Sequence, residues 1–188
     1  MKYYHGGAPG LAVGDRIVPR KDHPAWRERP VGNDDGSFPE FGGYHAVSLT
    51  VDLEIARAYA SQYVLPNDRR VPGQIYEVQP VGTISKDPDF IHSFPDMARC
   101  LDGAEIVAVR EVVDVETNPR AGVKALAKHL VNPWTGQPLY DEQGFVQVTE
   151  ATEAAGHTPE DLMRLGPWVP YEHVSGYPQF LPPIPPLL

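Results

Sequence analysis

Asp87 is a candidate for chemistry because of its place in the sequence. It precedes Pro88 near the end of the stretch at residues 73–89, GQIYEVQPVGTISKDPD, whose apolar strand pattern ends before the carboxylate. Loops carry functional groups while the sheet beside them fixes their position, so a catalytic acid is expected there. A second candidate, His5, lies in the opening stretch Tyr3–Gly7. Joint chemistry by the two residues requires these stretches to be neighbours in the fold.

The strands that must position these residues are predicted from alternating apolar residues and from turn residues. One strand is predicted over Gly73–Pro80, and a short opening strand over residues 2–5 is expected to end at Gly6 and Gly7. Residues 44–49 and 105–115 have patterns that favour two further strands. The prediction is therefore a sheet that contains both candidate stretches.

Two helices are predicted from caps and apolar spacing. Thr50 or Asp52 is expected to cap a helix that runs to about Tyr63 with one apolar face. Asn118 followed by Pro119 predicts the start of a second, amphipathic helix. Few helices among several strands favour an α+β fold.

Three stretches show no regular period. Residues 20–43 are rich in charge, Pro and Gly and predict a long loop, and residues 85–102 are expected to be irregular. Loops longer than about 12–15 residues are usually functional or disordered. The Pro-rich apolar tail at residues 176–188 predicts an extended strap on the surface, with a docking peptide as the alternative.

The bulk composition excludes several classes of protein. The chain has 188 residues and a formal net charge of −9, which disfavours nucleic acid as a partner. No apolar run approaches the roughly 20 residues that a membrane span needs. The opening residues do not resemble a signal peptide, and Cys100 is the single cysteine, so a cytoplasmic location is expected. The seven His residues show no metal-ligand spacing, and no metal is predicted.

Three motifs, taken in order, resemble those of the small rifamycin-type ADP-ribosyltransferases. The first is Tyr4-His5-Gly6 followed by LAVGD at residues 11–15. The second is VSLT at residues 47–50, before the predicted helix, and the third is GQIYEVQPVGTI followed by Asp87 and Pro88. The resemblance covers roughly residues 3–115 and implies a compact, split antiparallel sheet that binds NAD.

The resemblance also implies roles for individual residues. His5 would hydrogen-bond the ribose hydroxyls, and the backbone of Gly6 would take the amide of nicotinamide. Asp87 would hold the ribose or the acceptor and stabilise developing positive charge on the sugar. Glu105 is a rival acid, since other branches of the superfamily place a catalytic glutamate at the start of such a strand.

The sequence departs from the family pattern in its second motif. The family has a tyrosine there that stacks on nicotinamide, whereas this chain has Ser48. Tyr44 or Tyr59 would supply the ring from a neighbouring position, or Ser48 and Thr50 would act as the Ser-x-Ser/Thr motif of the arginine-specific branch. The third alternative is a domain that binds a nucleotide without turning it over.

The resulting prediction is an ADP-ribosyltransferase domain over residues 1–117 and a C-terminal extension over residues 118–188, packed on the same domain. The predicted reaction transfers ADP-ribose from NAD to a small-molecule or protein acceptor and releases nicotinamide, without a metal. Water as the acceptor would make the protein an NAD glycohydrolase. A non-catalytic binding module on the same scaffold is the alternative from another class.

Overall fold

The computed structural model describes residues 1–24, 45–65, 67–132 and 135–175. The chain divides into two units, Met1–Glu116 and Thr117–Leu188. The predicted Pro-rich strap and most of the predicted loop at residues 20–43 lie outside the described residues. No helix within the described residues is long and apolar enough to span a bilayer.

The described residues of the first unit form a seven-stranded antiparallel sheet, and with the few helices described beside it the protein is α+β, as predicted. The strands follow the order β2-β7-β4-β1-β3-β6-β5 across the sheet. Their bounds are β1 (Tyr3–Gly7), β2 (Arg16–Ile17), β3 (Val47–Thr50), β4 (Gly73–Pro80), β5 (Ile84–Lys86), β6 (Met97–Cys100) and β7 (Ala104–Val113). The candidate stretches are neighbours as required, because β1 pairs with β4 along its whole length.

Helix α1 (Leu53–Ser61) confirms the first helix prediction and its cap. The Asp52 carboxylate accepts a hydrogen bond from the Glu54 amide at 2.9 Å. Ala56 and Ala60 pack with Ile75 of β4 in a small apolar cluster. The helix therefore lies against the middle of the sheet, where β1 and β4 run.

The opening strand does not end at its two glycines, as the sequence had suggested, but continues through both. A Cβ atom on Gly6 would lie 1.9 Å from the Ala56 carbonyl oxygen. The absent side chain thus lets α1 pack directly on β1, and the glycine is needed inside the strand.

The ladder between β1 and β3 is short. Within the described residues its register consists of the pair Tyr4 and Thr50. Beyond that pair, residues 5–7 are paired on their other side with β4. The sheet therefore has a gap between the second half of β1 and the first half of β3.

Strands β5 and β6 were not predicted, and the expectation of an irregular stretch at residues 85–102 is wrong in part. Met97–Cys100 pairs with β3 on one side and with β5 on the other. The sequence MARC contains no β-branched or aromatic residue, so local propensity does not favour a strand. Burial of Met97, Ala98 and Cys100 in the core stabilises it instead.

Within its described residues, the second unit contains three short α-helices, α2 (Pro119–Leu126), α3 (Glu150–Ala154) and α4 (Pro159–Arg164). Asn118 caps α2 as predicted, because its side chain accepts from the Arg120 amide at 3.0 Å. An apolar cluster that includes Tyr140, Leu162 and Val169 forms the core of this unit.

Candidate functional site

A cavity of about 380 Å³ in the first unit lies at the gap between β1 and β3. Residues from β1, β3 and α1 line it, together with the segments that follow β2 and β5. Its lining includes six of the predicted site residues: His5, Gly6, Ser48, Thr50, Tyr59 and Asp87. The fold thus brings together residues that are far apart in sequence.

The other two predicted site residues are not part of this cavity as described. Tyr44 lies outside the described residues. Glu105 is exposed in β7, between the buried residues Ala104 and Ile106, and does not line the cavity. Strand β4 separates β7 from β1, so Glu105 is not brought to His5 and is left out of the candidate site.

His5 is oriented by a hydrogen bond across the gap in the sheet. Its Nδ1 lies 2.9 Å from the Ser48 carbonyl oxygen, which can only accept, so Nδ1 carries the proton. Burial lowers the pKa of His5 below its ordinary value, the bond to Ser48 opposes this, and the charge of Arg20 adds to the lowering. The ring is therefore neutral at pH 7, with Nε2 as a hydrogen-bond acceptor.

Gly7 makes room for that ring. A Cβ atom at this position would lie 2.6 Å from Nε2 of His5. The imidazole therefore packs over the backbone of the second glycine. The present ring position therefore requires a residue without a side chain at position 7.

Asp87 is a buried carboxylate, with 6% of its surface exposed. It caps the 3₁₀ turn Pro88–Ser93 by accepting from the Asp89 amide at 3.0 Å, and the Ser48 side chain also hydrogen-bonds it. Burial raises the pKa of Asp87, and the charge of Asp89 adds to this. The Asp89 amide, Arg99 and Ser48 act in the opposite direction. The predicted catalytic acid is thus also a capping residue.

Ser48 contacts both candidate residues. Its carbonyl oxygen accepts from His5, and its side chain hydrogen-bonds Asp87. His5 and Asp87 therefore both lie beside Ser48 of β3. Residue patterns contain no signal for this proximity.

Tyr59 of α1, one of the two tyrosines considered from the sequence, supplies an aromatic ring to the cavity. Tyr59 as a whole residue is 42% exposed. Burial raises its pKa, and the charges of Asp87 and Asp89 raise it further. The phenol therefore stays protonated. Thr50 also lines the cavity, but its hydroxyl already accepts a hydrogen bond from the Asp52 amide at 3.0 Å, at the start of α1.

Basic residues line the cavity as well, and sequence reasoning missed them. They are Arg16 of β2, Arg20 of the following 3₁₀ turn and His23. Arg16 precedes the buried Ile17 in β2. Because this strand has only two residues, its sequence pattern is a weak signal for a basic residue at the cavity. The lining thus contains both basic and acidic groups.

Within the described residues, no group of three or more His, Cys, Asp or Glu side chains is arranged to hold a metal ion. The sequence matches no protein-family model, and no curated protein matches it significantly. The function must therefore be inferred from the residues of the chain itself.

Proposed function

We propose that this protein is an NAD-dependent ADP-ribosyltransferase on an ADP-ribosyltransferase-like fold. The observation that carries the proposal is that His5, Ser48 and Asp87 line one cavity, where the Ser48 carbonyl oxygen accepts a hydrogen bond from His5. His5 and Asp87 are the two side chains to which the family resemblance gives roles at the ribose. The gap between β1 and β3 supplies the split in the sheet where the dinucleotide would lie.

The proposed reaction breaks the bond between C1′ of the ribose and the nicotinamide nitrogen. The bonding electron pair leaves with nicotinamide, which becomes neutral, and positive charge develops on the sugar. A nucleophilic atom of the acceptor then bonds to C1′ and loses its proton. The Asp87 carboxylate would stabilise the developing charge, and its buried setting strengthens this electrostatic effect.

The other lining residues fit the remaining parts of NAD. Nε2 of neutral His5 would accept a hydrogen bond from a ribose hydroxyl, and the backbone of Gly6, which lines the cavity, would hold the carboxamide. The ring of Tyr59 would stack on nicotinamide. Arg16 and Arg20 would attract the pyrophosphate, so the basic and acidic groups of the cavity suit opposite ends of the reacting molecule.

The test is to incubate the protein with NAD, with and without rifampicin, and to follow free nicotinamide by proton NMR. His5→Ala and Asp87→Asn are expected to abolish release without lowering the thermal melt, since the Asn side chain can still accept from the Asp89 amide. His157→Ala in the second unit is the matched control and should release nicotinamide at the normal rate. Release without an acceptor would identify a glycohydrolase.

A second candidate function is a module that binds NAD without turnover. It is favoured by the contacts of Asp87, whose carboxylate is already engaged by Ser48 and by the Asp89 amide. NAD binding without nicotinamide release in any condition would support this candidate. Absence of both binding and release would overturn both proposals.

A further inference from the structure

Tyr76 of β4 binds the segment that follows β1. Its side chain is fully buried, and it lies opposite His5 in the register of the two strands. The Tyr76 hydroxyl lies 2.5 Å from the Ala8 carbonyl oxygen, and the Leu11 amide donates to that hydroxyl at 3.2 Å. A phenol has one proton, so Tyr76 donates to Ala8 and accepts from Leu11.

Gln74 makes a third contact to the same segment. It lies opposite Gly7 in the register, two residues before Tyr76 and on the same face of β4. Its Oε1 accepts from the Gly10 amide at 3.1 Å and lies 3.1 Å from the Tyr76 hydroxyl. Two neighbouring side chains therefore hold three backbone groups between residues 8 and 11.

The segment they hold forms part of the cavity wall. Ala8 and Leu11 line the cavity, whereas Gln74 and Tyr76 do not. The segment follows directly after Gly7, over which the His5 ring packs. A change in the position of residues 8–11 would thus change the wall next to His5 without altering the residues that touch the reacting bond.

We propose that Gln74 and Tyr76 are positioning residues that fix residues 8–11 as a wall beside His5, and that this wall sets the affinity for the nicotinamide-ribose half of NAD. This inference rests on the proposed function. It separates two tasks within the cavity, because His5 and Asp87 act on the bond that breaks while Gln74 and Tyr76 act on binding through the backbone.

The test compares Tyr76→Phe with Tyr140→Phe. Tyr140 is the matched control, since it is buried in the second unit and its hydroxyl also donates to a backbone carbonyl, that of Val169, at 2.7 Å. Tyr76→Phe is expected to raise the KM for NAD by about tenfold, the change that corresponds to one lost hydrogen bond, with kcat within about twofold. Tyr140→Phe should leave both constants unchanged.

Binding and amide exchange complete the experiment. Calorimetry should show that Tyr76→Phe weakens the binding of NAD more than the binding of ADP-ribose, which lacks nicotinamide. By NMR, the amides of Gly10 and Leu11 should exchange faster in Tyr76→Phe than in wild type. Gln74→Leu should have the same effects, while Gln74→Glu, which keeps an acceptor for Gly10, should restore protection and KM.

Each result bears on one part of the inference. Unchanged exchange at Gly10 and Leu11 in both Tyr76→Phe and Gln74→Leu would overturn the positioning role, whether or not NAD binds. Faster exchange with an unchanged KM, or a loss confined to kcat, would overturn the effect on affinity. If wild-type protein does not bind NAD, the proposed function fails and the affinity claim fails with it, while the exchange data still decide the positioning role.

Discussion

At the scale of single residues, Ser48 lies beside both candidate catalytic groups. Its backbone holds His5, and its side chain hydrogen-bonds Asp87. The family resemblance expects a stacking tyrosine at position 48. In this chain the residue there is Ser48, which interacts with His5 and Asp87. Tyr59, two residues before the end of α1, supplies a ring to the cavity instead.

Ser48→Ala is expected to shift the acid limb of NAD turnover to higher pH. The Ser48 hydrogen bond lowers the pKa of Asp87, so its removal raises that pKa. At a given acidic pH a larger fraction of Asp87 is then protonated, and the carboxylate needed for charge stabilisation is lost earlier as pH falls. The bond from His5 should persist, because it ends on the backbone carbonyl of residue 48.

The measurement is the pH profile of kcat/KM, supported by the carboxyl carbon shift of Asp87 in a titration. The other charged and titratable groups that act on Asp87 are Asp89 after β5, Arg99 of β6 and Tyr59 of α1. All three remain in the variant, so the shift reports on Ser48. Ser48→Thr keeps the hydroxyl and should restore the wild-type profile. An acid limb that does not move would contradict the link between Ser48 and Asp87.

At the scale of elements, β1 serves both the fold and the site through two adjacent glycines. Gly6 gives α1 its close contact with the sheet, while Gly7 gives the His5 ring its place. The alternation of a strand sends these two contacts to opposite faces. The neighbouring residues are therefore expected to respond differently to the same substitution.

Gly6→Ala should destabilise the protein, by about 1–3 kcal/mol or more, as overpacking of a backbone contact does. The added Cβ would meet the Ala56 carbonyl oxygen at 1.9 Å and the Ala60 nitrogen at 2.8 Å, and neither atom belongs to a flexible side chain. Gly7→Ala meets only the His5 side chain, which can move away. We expect it to reduce nicotinamide release strongly with a smaller loss of stability. Urea denaturation and turnover of both variants test this, and equal stability losses would contradict it.

The sequence predicted the elements with strong local signals. Strand β4 has a clear alternation, and α1 has a capping Asp52 and an apolar face, and both agree with the structure. Strand β6 has neither signal and is stabilised by its place between β3 and β5. Contacts between distant residues, such as Ser48 with Asp87 or Tyr76 with Ala8, depend on the register of the sheet. Residue patterns alone do not contain that register.

At the scale of the whole molecule, the chain is acidic, whereas part of the cavity lining is basic. The formal net charge is −9, yet Arg16, Arg20 and His23 all line the cavity. A dinucleotide anion is repelled by the molecule at long range and attracted by this wall at short range. The composition correctly describes the average surface, but it does not reveal such a local reversal.

Arg20→Gln is therefore expected to weaken NAD binding, by a few-fold, since a partly exposed charge pair contributes about 1 kcal/mol. The loss should shrink between about 0.05 M and 0.5 M salt, because added salt screens the attraction between Arg20 and the pyrophosphate in the wild type. The same variant should raise the pKa of His5, because the charge of Arg20 lowers it in the wild type.

Calorimetric titration with NAD at several salt concentrations and an NMR titration of His5 measure the two effects. Arg164→Gln is the control, since Arg164 is an exposed arginine of α4 whose partner is Asp161, and it should change neither quantity. A loss of affinity that does not depend on salt would show that Arg20 acts through the shape of the cavity wall rather than through its charge.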